Sequence, residues 1–536
     1  MRGRLFTGLA VASLGYALGF VDSANAQQAS AATPSQTTEA APQHFDILEF
    51  VVDGNTVLPV ADIEEAIYGF MGEGRDTSDV DKARDALERL YRERGFQTVQ
   101  VAIPRQGVEN GIIHLQVVEN PIGRLRVVDS KYHSLAAIKD TAPSLAEGKV
   151  PNLNEVQKDV VALNQGADLK VTPRLKPGAV PGTVDVDLEV EDKLPLHASV
   201  EINNQYNQQT TPLRLVGSVS YDNLWQLGHS FSFTYQTAPE NIDDAQVFSG
   251  SYLVPLPRSG LSFLFYGVKS DSDVAALAGT DVIGKGNILG TRAIINLPGA
   301  ENFYQSVTVG VDRKDLSQNV VTNGAPSQAP VLYYPFSVAY APVWRDGDIT
   351  TAASASLNFA LPGIGKGSAA FDAQRFDALK QYVYAKAEFS HTMPFFWNTV
   401  LYSRVMGQLA DGALLSSEQF SAGGANSVRG YLEAERLGDD GLQANIEWRS
   451  PSLTPWVSPL VNDWRFLIFA DEAALWLHQP LPGEQARFGL ADAGVGTRFT
   501  VFDIFNGAVD AAFPLLDGAV TKAGDPRFHF RFWAGL

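Results

Sequence analysis

"HSFSFTYQT", His229–Thr237, sets Phe231, Phe233 and Tyr235 at every second position, with Ser230, Ser232, Thr234 and Gln236 between them. A period of two marks a β-strand with one apolar and one polar face. The pattern recurs. In "YYPFSVAYA", Tyr334, Phe336, Val338 and Tyr340 share a face. "QYVYAKAEFS" opposes Val383, Ala385, Ala387 and Phe389 to Tyr382, Tyr384, Lys386 and Glu388. The closing "RFHFRFWAGL" opposes Phe528, Phe530 and Phe532 to His529 and Arg531. A soluble sandwich buries such apolar faces, whereas a membrane barrel turns them to lipid around a wet lumen. Periodicity alone does not separate the two, but three features favour the barrel. The region is about 340 residues long, suiting roughly 16 antiparallel strands of about 10 residues. Its apolar faces are rich in Phe and Tyr, as in barrel girdles. An aromatic alternating strand ends the chain, where a barrel must close.

Upstream the period changes. "FDILEFVVDGN" (Phe45–Asn55) reads as a strand ending in a Gly-Asn turn. "VADIEEAIYGFM" and "TSDVDKARDALERLYRERG" have helical spacing, the second with Thr77 or Ser78 as N-cap and Gly95 as stop. "FQTVQVAIP" and "GIIHLQVVE" follow as strands. The order β-α-α-β-β then repeats through "IGRLRVVDS", "SLAAIKDTAP", "NLNEVQKDVVALNQ", "DLKVTPRLKPG" and "GTVDVDLEVE", an internal repeat. The expected divisions are a signal peptide at 1–26, a linker at 27–44, the two modules at 45–120 and 121–193, and the barrel at 194–536. The signal has basic Arg2 and Arg4, the short apolar core "LFTGLAVASLGYALGF" and the small-residue exit "ANA" (Ala24–Ala26), which is a bacterial secretory pattern. No later segment reaches the roughly 18 apolar residues of a spanning helix.

The net charge of −19 argues against a nucleic-acid partner, which needs a basic face. The absence of cysteine excludes disulfides, thiolate catalysis and Cys-based zinc sites. The eight histidines show no metal-ligand spacing. "GKGNILG" (Gly284–Gly290) fits G-x-G-x-x-G without the βαβ setting that a dinucleotide requires. No G-x-S-x-G elbow occurs. The acids of "YDNL" and "GDDG" (Gly438–Gly441) read as solvated turns rather than Ca²⁺ ligands. No catalytic group, cofactor or metal is therefore expected.

A signal peptide, two β-α-α-β-β modules and a terminal barrel together resemble the two-partner secretion transporters of Gram-negative outer membranes. These TpsB-type exporters of filamentous haemagglutinin and haemolysin lie within the POTRA-plus-barrel superfamily. "YRERGFQTVQVAIPRQGVENGIIHLQVVE" (Tyr91–Glu119) is similar to the first POTRA domain, and "VSYDNLWQLGHSFSFTYQTAPE" and "VIGKGNILGTRAIINLP" are similar to barrel hairpins. "NSVRGYLE" carries the superfamily signature Val428, Arg429, Gly430, Tyr431. The resemblance implies that Arg429 sits on a long extracellular loop folded into the lumen. It implies pairing with an acid on an inward-facing strand, best matched by Asp471 in "FLIFADEAALW", with Glu472 on the opposite face. The implied function is an outer-membrane pore whose periplasmic POTRA domains capture an unfolded exoprotein, a large β-helical adhesin or haemolysin, for export. The capture groove of the first module would involve Val80, Leu87, Tyr91, Phe96, Val99 and Val101. Outer-membrane lipid and lipopolysaccharide, and the barrel-assembly machinery, are the other implied partners. The alternatives are an insertase of the same superfamily, which usually has more POTRA modules, a plain porin, or a surface enzyme. Two departures stand out: the segment before the first module is short and polar for a plug helix, and the chain ends "FWAGL" rather than on an aromatic residue.

Overall fold

The computed structural model describes residues 44–536, apart from positions 109, 165, 257–258, 273, 278–279, 284, 301 and 323–324. The expected signal peptide and all of the linker except its last residue lie outside the described residues.

The first unit contains β1 (Phe45–Ile47), β2 (Glu49–Asp53), α1 (Val60–Ile67), β3 (Gly72–Arg75), α2 (Thr77–Glu93), β4 (Gln100–Ala102) and β5 (Ile112–Val118). β5 is central, parallel to β2 and antiparallel to β4. The stretch read as one opening strand is broken at Leu48, because β1 leaves this sheet to pair with β3. α2 buries Val80, Ala83, Leu87 and Tyr91, the stripe that its 3.6-residue period dictates. Its N-cap is Asp76, not Thr77 or Ser78. Asp76 has the extended backbone a cap needs, and its carboxylate accepts from the Ser78 and Asp79 amides at 2.8 and 3.1 Å.

The second module repeats the order with β6 (Ile122–Val128), α3 (Leu135–Thr141), α4 (Leu153–Leu163), β7 (Leu169–Pro177) and β8 (Val184–Asp192). β8 is again central, parallel to β6 and antiparallel to β7. Leu125, Ile138, Leu145, Val156, Leu163, Val186 and Leu188 close its core.

Sixteen antiparallel strands then form a closed barrel. They are β9 (Leu196–Asn203), β10 (Arg214–Leu224), β11 (His229–Thr237), β12 (Gln246–Leu256), β13 (Leu261–Ser270), β14 (Lys285–Ala300), β15 (Phe303–Thr322), β16 (Pro335–Asp346), β17 (Ile349–Ala360), β18 (Val383–Phe395), β19 (Thr399–Ala410), β20 (Asp440–Arg449), β21 (Val461–Trp476), β22 (Arg487–Val501), β23 (Phe505–Pro514) and β24 (Arg527–Gly535). The far end of β15 continues past the rim and pairs with Ala325–Tyr333. A helix, α5 (Ser368–Gln374), lies in the loop between β17 and β18.

The faces follow the two-residue period. Val383 and Phe389 are exposed while Tyr384 is buried, and Phe528 and Phe532 are exposed on either side of buried His529. The exposed face is apolar. The inner wall carries matched ion pairs, such as the bidentate Arg292–Asp312 (2.6 and 2.9 Å) and Arg498–Asp510 (2.7 and 2.7 Å). That distribution suits lipid outside and water within. No helix among the described residues is long and apolar enough to cross a membrane.

Candidate functional site

The loop between β19 and β20 turns back inside the wall. Its stems pair as a short hairpin, Phe420–Ala422 with Arg436–Gly438. Gly423 and Gly424 then reverse the chain at φ +108° and +109°, a region that disfavours side chains. At Gly424 a Cβ would also collide with the Glu433 carboxylate, which accepts from the Ala425 amide at 2.8 Å. The turn delivers Val428, Arg429, Gly430 and Tyr431, all buried, to the inner face of β20–β22.

Register prepares their seat. Asn445 on β20, Asp471 on β21 and Asp492 on β22 stand opposite one another in one inward-facing row. The next row toward the module end of the barrel holds Glu447, Phe469 and Gly494. The Arg429 guanidinium donates to both Asp471 oxygens, from Nε at 2.7 Å and Nη2 at 2.8 Å, and from Nη1 to Glu447 at 2.7 Å. It stacks 3.5 Å from the centroid of the Phe469 ring. Gly494 makes room for that ring, since a Cβ there would come within 2.4 Å of it. Asn445 donates to Asp471 and to the Ser427 carbonyl, at 2.8 and 2.7 Å. Gly430 N–H donates to Asp492 at 2.5 Å, and His529 Nε2 lies 2.7 Å from the Arg429 carbonyl. The Tyr431 hydroxyl lies 3.0 and 2.8 Å from the carbonyl oxygens of Ala491 and Leu516, with its one hydrogen shared between them. Val428 and Tyr431 pack with Phe420, Ala473, Leu475 and Leu490. A buried guanidinium with a bidentate partner, a second carboxylate and an aromatic floor is a strong pin for a loop.

Asp471 and Glu472 point to opposite faces, the first buried and the second exposed. Glu447, Asn445, Asp492 and His529 were not singled out from sequence. The usable signal was the alternation of Gln443, Asn445, Glu447 and Arg449 in "QANIEWR", which puts four polar residues on one strand face.

The expected groove of the first module needs correction. Val80, Leu87, Tyr91, Val99 and Val101 are buried and Phe96 is half-buried. Together they are core, and the Tyr91 hydroxyl is satisfied by Asn55 at 2.7 Å. Those side chains are spent on holding α2 against the sheet, so they do not line an open groove. Among the described residues, the edges of that sheet left unpaired are the outer edges of β2 and β4.

The acids of "GDDG" are not solvated either. Asp439 is fully buried and Asp440 binds His478 Nε2 at 2.8 Å. Asp222 of "YDNL" lies 3.6 Å from His197 Nε2, which also meets Asp168 at 2.7 Å. The His197 ring lying between these two carboxylates accounts for the cluster as a hydrogen-bonded group. Gly284 of the glycine-rich stretch lies outside the described residues; Lys285–Gly290 is part of β14, with no helix following.

Family models match two segments of the chain. A POTRA domain of the ShlB type matches residues 45–120, and the haemolysin secretion/activation protein family ShlB/FhaC/HecB matches residues 348–499. An outer membrane transporter CdiB of Dickeya dadantii (strain 3937) is 21% identical over 472 residues, covering 81% of this chain and 77% of the relative. The solved structure of CdiB from Escherichia coli superposes with a TM-score of 0.65 at 19% identity, covering 94% of this chain and 93% of that one. BamA from Haemophilus ducreyi lacking POTRA domains 1–3 superposes with a TM-score of 0.55 at 13% identity, covering 92% and 100%.

Proposed function

We propose how the parts of this chain, an outer-membrane transporter of the two-partner secretion type and not an enzyme, divide the work of exporting a partner exoprotein. The POTRA modules take up the unfolded partner in the periplasm. An extended segment adds to an open sheet edge of the first module, β2 or β4, so that main-chain hydrogen bonds supply affinity with little demand on sequence. The barrel conducts the chain outward. At rest its lumen holds its own extracellular loop, pinned by Arg429 to Asp471 and Glu447. That buried pin is the observation that carries the reading. The polar inner wall gives an extended polypeptide hydrogen-bonding surface, and folding outside the cell supplies direction without ATP. The partner that suits such a route is a long β-helical exoprotein, which folds strand by strand as it emerges. The outward apolar face is covered by outer-membrane lipid and lipopolysaccharide, after insertion by the barrel-assembly machinery.

The test is secretion of the partner exoprotein by wild type and by Arg429→Ala at matched barrel levels. A collapse of secretion from normally inserted barrels supports the reading. Equal release in the absence of the transporter overturns it. One observation favours a second reading, an insertase: β24 meets β9 only over Arg531–Gly535 against Ser199–Asn203, a short seam. Loss of several unrelated outer-membrane barrels on deletion of this chain would select that reading.

A further inference from the structure

The Arg429 pin holds only the tip of the lumen loop. Its stems are held elsewhere, by residues that neither the signature motif nor the module architecture involves. Arg375, just after α5, makes a fork-to-fork ion pair with Asp439 at the foot of the returning stem, with Nη2 2.6 Å from Oδ2. The same guanidinium donates to the carbonyls of Leu414 on the outgoing stem and His478 in the β21–β22 loop. Asp439 also accepts from the Leu414 amide at 2.9 Å, the Gln419 side chain at 3.1 Å and the His478 amide at 2.7 Å. One buried carboxylate thus joins three extracellular loops. On the outgoing stem, buried Glu418 accepts from Lys314 at 2.5 Å, Tyr333 at 2.6 Å and Tyr384 at 2.7 Å, which belong to β15, the Ala325–Tyr333 strand paired with its far end, and β18. Gln408 on β19 links the two centres, donating to the carbonyls of Glu418 and Asp439 at 3.1 and 2.9 Å.

We propose that Arg375–Asp439 and Glu418 form a rim latch, a second closure separate from the Arg429 pin, which must also open before the exoprotein can pass. The proposal rests on the export reading for its purpose, but the latch itself is a statement about the pore. The argument is geometric. With the tip freed, both stems still cross the mouth, tied on one side to the β15–β18 sector and on the other to the β21–β22 loop. An extended chain would still meet α5, Leu414 and His478. Asp439 buried without Arg375 would be an uncompensated charge among backbone donors, so loss of the arginine loosens all three loops together. Arg375, Asp439 and Glu418 are positioning residues, acting through the loop and not on the exported chain.

The test uses the full-length protein in planar bilayers and liposomes. Conductance and uptake of a neutral oligosaccharide are measured for wild type, Arg375→Ala, Glu418→Gln, Arg429→Ala and the Arg375→Ala/Arg429→Ala pair. Heat-modifiable migration certifies that each barrel is folded. Two closures in series predict that each single variant stays nearly closed and that the pair is at least about tenfold more permeable than either. Arg375→Lys in the Arg429→Ala background keeps the charge without the fork and should restore part of the closure, an effect that mere loss of packing would not show. A double variant no more permeable than Arg429→Ala alone overturns the latch. If Arg375→Ala does not fold, Glu418→Gln/Arg429→Ala serves in its place with the same two outcomes. Permeability is read without the exoprotein, so a failure of the latch is distinguishable from a failure of the export reading.

Discussion

Arg429 is charged, buried and held by two carboxylates, and that combination sets the consequences of changing it. Removing the guanidinium leaves Asp471 with the Asn445 side chain and the residue 429 amide, and Glu447 with Arg449, as the remaining donors among the described residues. Breaking such a buried pair costs about 3–5 kcal/mol, enough to release the loop tip while the hydrogen-bonded wall persists. Arg429→Ala and Asp471→Ala are therefore expected to insert normally and to lose secretion at least about tenfold, read by immunoblot of the medium. Arg429→Lys keeps the charge but not the fork that meets Asp471 and Glu447 together, and should fall between wild type and Ala. Gly430→Ala tests the fit of the backbone. Its Cβ would lie 2.8 Å from Asp492 Cβ, so the tip must lift and the Gly430–Asp492 bond must break. The variant should show protease cleavage of the loop in intact cells where wild type resists it. The sequence pointed to Asp471 through a motif, and the residues meet. Alternation in "QANIEWR" placed Asn445 on a polar face, but nothing in the sequence paired it or Asp492 with Asp471, because which polar side chains stand abreast depends on the register between strands far apart in the chain.

At the scale of elements, local chemistry was the more legible the shorter its range. The α2 stripe was read residue by residue, because a helix contains its own period. Its cap was misplaced by one residue, since Asp76, Thr77 and Ser78 all have cap-forming side chains and only backbone geometry selects among them. Asp76→Ala should lower the stability of the first module by about 1 kcal/mol, measurable by hydrogen exchange across α2. In the second module, Arg126 (bidentate, 2.8 and 2.9 Å) and Lys176 (2.6 Å) hold the Asp187 carboxyl well below the usual carboxylate range. A depressed folded pKa gives stability that is present above the unfolded value of about 4 and is lost as pH falls through the folded value. Asp187→Asn should accelerate amide exchange in β6–β8 at pH 7, with an unchanged deficit at pH 6. The difference from wild type should narrow only below about pH 4. A deficit that already vanishes between pH 7 and 6 would mean that the ion pair does not contribute as described.

For the whole molecule, the division of labour predicts separable losses. Deleting residues 45–120 should leave a heat-modifiable barrel in the outer membrane and abolish secretion, whereas Arg429→Ala should spare capture of the exoprotein in the periplasm. Co-purification of the stalled partner with the Arg429→Ala barrel, and its absence with the deletion, would check both. The sequence by itself determined the architecture: two modules of one repeat, then a long run of strands whose period of two, number and aromatic faces favour a barrel with lipid outside and water within. These are local patterns, carried by neighbours in the chain. Only the tertiary structure decided that the first module's apolar stripe is core rather than groove, that "GDDG" is a buried hub rather than a solvated turn, and that a loop is fastened at its tip by one sector of the wall and at its stems by others. Each of those depends on which residues a closed sheet brings opposite one another, a matter of register and burial that residue spacing does not encode.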